Sequence, residues 1–130
     1  MGRKTIVVSP QQDELREEQM RPSRVLGYDR DSIGLYALQR GMLEVAESQF
    51  SRAVYLNPYE ARFKQHLAWA LYKLERYAEA KRCIVEALGQ SPDDADSRFI
   101  LRKVDEKLSA MNRADAAESH DESQSAGKDT

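Results

Sequence analysis

The sequence predicts an all-α chain in which antiparallel helix pairs stack one on the next. Three observations predict it: residues 27–60 and 61–94 match at a lag of 34 residues, small residues recur at the same places in both copies, and each copy carries a proline near its end. The identities are Ala46 with Ala80, Ala53 with Ala87, and Pro58 with Pro92. Between them large pairs with large and small with small: Ile33 with Leu67, Gly34 with Ala68, Leu43 with Tyr77, Phe50 with Ile84, Val54 with Leu88. Two helices approach to about 8 Å only where one presents Gly or Ala to the other. Gly34, Ala46 and Ala53, then Ala68, Ala80 and Ala87, are therefore expected close-contact points, where Leu would overpack.

Residues 1–26 precede the repeats as an extension. In "SPQQDELREEQM", Ser9 is placed to cap a helix, Pro10 suits its first position and acids fill its first turn, which predicts a short helix over residues 10–20. Only Leu15 and Met20 give that helix an apolar side, so alone it is marginal. Residues 5–8, "TIVV", form the one compact β-branched cluster outside the repeats, and are expected to dock on the repeats' apolar surface in the same chain or a neighbour.

The first helix pair turns at Gly41 and ends at Asn57-Pro58, because the residue before proline is pushed out of the helical region. The second ends at Ser91-Pro92, and Glu75 stands in the place of Gly41, implying a different turn conformation there. Residues 95–111 read as one capping helix started by Asp94 or Asp96, with Phe99, Leu101, Val104 and Leu108 packing back. Arg102 stands where the lag places Gly34 and Ala68, which argues against a third full repeat. Residues 112–130 hold no aromatic or branched aliphatic side chain and mostly acidic charge, so they are expected to be a disordered acidic tail.

Composition narrows the function classes. The 130 residues carry a net charge of -2 and about one domain's worth of sequence, with no basic patch that points to nucleic acid. No stretch approaches the roughly 20 apolar residues that span a bilayer, and no signal peptide is visible, so no membrane partner is expected. The lone Cys83 excludes an internal disulfide framework and a cysteine-rich metal site; the expected location is cytoplasmic.

With its period of 34 residues, its small-residue positions and its terminal prolines, the segment 27–94 resembles the tetratricopeptide repeat family. The resemblance covers two repeats and, more weakly, the cap. Ala37 departs from the family's large residue, and Arg30 and Lys64 from its apolar one. It implies a short right-handed solenoid that binds a peptide or partner helix in a concave groove lined by each pair's first helix. On a helical wheel Phe63, Leu67, Ala70, Leu71 and Leu74 form the buried stripe, while Gln65, Trp69 and Tyr72 cluster opposite it. The equivalent positions in the first repeat are Asp31, Leu35 and Leu38, and Phe99 continues the line on the cap. These residues are the expected partner-binding set, with Arg62 and Lys103, and with Lys73 and Arg98, as a basic rim. Family members that clamp acidic C-terminal peptides carry Lys and Asn where this chain has Asp31 and Leu35, so a carboxylate clamp is not implied.

The competing readings are self-association, a small secretion-type chaperone, and catalysis. Catalysis has the least support: His66, Cys83 and His120 lack partners at triad or metal-ligand spacing, and no cofactor or metal is expected. The expected partner is a protein or peptide, with a homo-oligomer as an alternative.

Overall fold

A computed structural model describes residues 22–127, with side chains through residue 118. The expectations for residues 5–8 and 10–20 lie outside these. Among the described residues there are five helices and no strand: α1 Tyr28–Gln39, α2 Leu43–Leu56, α3 Ala61–Lys73, α4 Tyr77–Gln90 and α5 Ala95–Gly127. Each helix packs on the next, and α3 also touches α1 and α5. The all-α stack of antiparallel pairs is as the sequence predicts.

The predicted small residues are the points of closest approach. Ala46, Ala53, Ala68, Ala80 and Ala87 are all fully buried. A Cβ on Gly34 would overlap the ring of Phe50, itself fully buried on α2. Phe50, Phe63, Ile84 and Val104 supply the bulk that fills the space these small residues leave.

Both pairs turn in the same way, which corrects the expectation for Glu75. Gly41 has φ 74° and Glu75 φ 64°, both left-handed. Met42 N–H donates to Ala37 O at 2.9 Å and Gly41 N–H to Leu38 O at 3.1 Å. Arg76 N–H donates to Leu71 O at 2.9 Å and Glu75 N–H to Tyr72 O at 3.0 Å, the same Schellman closure. The six-residue hydrogen-bonded ring dictates the backbone, and glutamate takes a conformation that glycine takes without steric cost.

The second helices end as the X-Pro steps require. Asn57 is buried and its Oδ1 accepts from Tyr59 N–H at 3.2 Å, while Gln90 Nε2 donates to Pro58 O at 2.7 Å. Asp94 is the cap of α5: its Oδ1 accepts from Asp96 N–H at 3.1 Å, and its backbone oxygen accepts from Arg98 N–H at 3.1 Å. The core stripe of α5 is Ser97, Ile100 and Val104, flanked by half-buried Leu101 and Leu108. Phe99 lies off that stripe and is 44% exposed, and Arg102 is exposed.

Helix α5 does not stop near residue 111 but runs to Gly127, so the secondary structure differs from the disordered tail expected from residue 112. No proline or glycine interrupts residues 95–126, and Ala, Glu and Arg are good helix formers. Absence of core residues removes packing, not helix propensity. Residues 109–118 are all exposed.

Candidate functional site

Helix α3 is the centre of the site because it touches all four other helices. That contact set corrects the wheel reading of Gln65, which is buried where the wheel placed it opposite the core. A wheel assumes one covered side; here α5 covers a second. Gln65 Nε2 donates to Asp94 Oδ2 at 2.7 Å and to Ser97 Oγ at 3.0 Å, and Ser97 Oγ donates to the same carboxylate oxygen at 2.9 Å. The network fixes the start of α5 against α3 and satisfies polar atoms that would be costly to bury alone.

At the next residue of α3, the His66 ring pairs through Nδ1 with Asp31 Oδ1 of α1 at 2.7 Å, and lies 5.5 Å from the ring of Phe50. Asp31 is buried and His66 half-buried. Asp31 thus acts behind the surface, tying α1 to α3.

In front of these anchors lies an open groove of about 330 Å³, lined by Leu35 and Leu38 of α1, Gln65, His66 and Trp69 of α3, and Asp96, Phe99 and Ile100 of α5. Trp69 is half-buried and stacks on Tyr72, with centroids 5.1 Å apart and planes 14° apart. Phe99 stands 6.4 Å from Trp69 on one side, and Tyr77 stands 5.7 Å from Tyr72 on the other. Four rings therefore run as one ladder from α5 across α3 to α4. Lys73 Nζ lies 4.9 Å from the Trp69 centroid and Lys103 Nζ 5.5 Å from that of Phe99, within cation–π range.

Of the expected binding residues, the groove unites Leu35, Leu38, Gln65, Trp69 and Phe99. Tyr72 joins through its stack on Trp69, and Lys103 through the Phe99 ring. Asp31 and Arg62 do not line it; Arg62 is exposed and lies 3.6 Å from Glu60. Arg98 is likewise engaged away from the groove, donating to Pro92 O at 3.0 Å. Glu60 also accepts from the Tyr28 hydroxyl at 2.8 Å. Partial burial works against its ionisation, but the bonds from Tyr28 and Arg62 outweigh it and hold the carboxyl below its ordinary value.

His66, Asp96 and Ile100 line the groove without belonging to the expected binding set. A signal existed for Ile100, which shares helical spacing with Ser97 and Val104. None existed for the Asp31–His66 pair. The 34-residue lag sets Asp31 against Gln65, and the contact falls one residue later.

Among the described residues no three His, Cys, Asp or Glu side chains gather in a way that would hold a metal ion. Cys83 sits elsewhere, half-buried, with burial first and neighbouring Glu86 second pushing its thiol above the ordinary value. No described helix is long and apolar enough to cross a membrane. Neither a family model nor a curated protein sequence matches the chain.

Proposed function

We propose that this chain is a protein-interaction module of the tetratricopeptide type, working in the cytoplasm, which holds a peptide or partner helix in the groove between α1, α3 and α5. The observation that carries the reading is the aromatic ladder of Phe99, Trp69, Tyr72 and Tyr77 along an open, mainly apolar groove. Half-exposed Trp and Tyr side chains that stack on one another form a rigid, amphipathic surface of the kind that anchors binding partners. Lys73 and Lys103 beside the ladder favour an occupant with apolar side chains next to an acidic residue. Gln65 and His66 lend structural support to this surface, because both already bond to neighbouring helices.

The test is selection of a random-peptide display library on the immobilised full chain, with Trp69→Ala as the counter-selection. The reading expects enriched peptides that carry apolar and acidic residues and bind only the wild type. Enrichment of the same peptides on both proteins, or on neither, contradicts it.

A further inference from the structure

The two helix pairs differ at one face, and the difference points to a missing layer. Leu67 and Ala70 of α3 are 8% and 0% exposed beneath the first pair. Their counterparts 34 residues earlier on α1, Ile33 and Tyr36, are 48% and 56% exposed. On α2, Val45 is 41% exposed as well. This is the stacking face of the first pair, and among the described residues no earlier pair lies on it. Arginines flank it alongside the exposed Asp29: the guanidinium of Arg40 sits 4.3 Å over the Tyr36 ring, and on α2 that of Arg52 sits 5.1 Å over Tyr55.

We propose that residues 10–20 of the same chain dock on this face as an N-terminal capping helix, in the position that the second helix of a preceding pair would take. Four features select that occupant. The chain reaches the first pair at the right place, since Ser23 N–H donates to Leu56 O at 3.0 Å, beside the start of α1. Arg21-Pro22 follows residues 10–20 just as Asn57-Pro58 follows α2 and Ser91-Pro92 follows α4. Eleven helical residues span about 16 Å, close to the length of α1. Finally, the segment presents Leu15 and Met20 with Asp13, Glu14, Glu17 and Glu18, apolar for the exposed Ile33 and Tyr36 and acidic for the arginines.

A second copy fits less well. A second such face offers Arg40 no acidic run like that of residues 13–18, and the outer side of α5 offers exposed Arg98, Arg102 and Glu106 in place of an apolar surface.

The test uses the full chain in a Cys83→Ser background. Leu15→Cys is paired in turn with Ile33→Cys, with Tyr36→Cys and, as a groove control, with Leu35→Cys. Under mild oxidation the inference expects an intrachain disulfide, in a protein of monomer mass, at position 33 or 36. It forms at least about tenfold faster than at position 35, because docking raises the local concentration at one face alone. Interchain disulfides would assign the face to a second copy and overturn the inference. Equal rates at all three positions, a faster reaction at 35, or no disulfide would overturn it too.

Discussion

Gly41 and Glu75 occupy the same place in successive pairs and share the left-handed backbone, with φ 74° and 64°. For glycine that conformation carries no steric cost, whereas for a residue with a Cβ it costs roughly 1–2 kcal/mol. The turn is set by the Schellman hydrogen bonds and not by the residue that occupies it. Glu75→Gly is therefore expected to raise stability by about 1 kcal/mol, read as a higher urea midpoint at unchanged slope. Gly41→Ala should lower it by a similar amount, since open space around Gly41 leaves backbone strain as the sole effect. A lower midpoint for Glu75→Gly would contradict this account of the turn.

Ala80 is fully buried between α4 and its neighbours, so Ala80→Leu should destabilise by roughly 1–3 kcal/mol through overpacking. An unchanged unfolding midpoint would show that the helices are not held at the close approach described.

The start of α5 depends on one carboxylate with two duties. Asp94 caps the helix through Asp96 N–H and accepts from the buried Gln65 amide. Asp94→Ala is expected to cost roughly 2 kcal/mol, combining a lost cap with an unpaired buried donor. Circular dichroism should show lost helix well below the global unfolding midpoint. Asp96→Ala, which keeps the cap, should leave both unchanged; equal losses from the two substitutions would contradict the assignment.

How much of this was legible in the sequence follows from where the period holds. Gly34, the buried alanines and the X-Pro steps were visible because a repeated helix pair imposes the same spacing on each copy. Trp69, Tyr72 and Phe99 were visible as an apolar line on an otherwise solvated side. The exceptions arise where two different elements meet. Gln65 is buried by α5 and its counterpart Asp31 by α3, the next first helix in each case, which the wheel of a single helix does not contain, and His66 finds Asp31 one residue off the lag. Glu75 misled because its side chain argued against a conformation that the hydrogen bonds from Glu75 N–H to Tyr72 O and from Arg76 N–H to Leu71 O impose. Residues 112–127 misled because lack of core was read as lack of helix.

Acid should weaken the N-terminal end of the stack. Glu60 titrates below its ordinary value of 4.5, and the Tyr28 hydroxyl that bonds to it titrates above its own of 10.0, the Glu60 bond being the main cause. A lowered carboxyl contributes stability that is present above its unfolded value and lost as pH falls through the folded one. A raised phenol contributes stability present below its unfolded value and lost as pH rises through the folded one. Tyr28→Phe removes the phenol's contribution and the Tyr28 share of the carboxyl's, leaving the Arg62 bonds in place. Its stability should therefore fall less than that of the wild type as pH drops below 4.5, and less again as pH climbs past 10.0. Parallel pH profiles for the two proteins would refute the linkage.

The central claim is that the ladder around Trp69 is a recognition surface, and the chain holds one tryptophan, so its fluorescence reports on that surface alone. The decisive measurement is the emission and acrylamide quenching of Trp69 during titration with a display-selected peptide. The account predicts a saturable blue shift with reduced quenching, as an occupant dries the groove between Leu35, Trp69 and Phe99. Saturable binding, followed independently by calorimetry, that leaves the emission and quenching of Trp69 unchanged would contradict it.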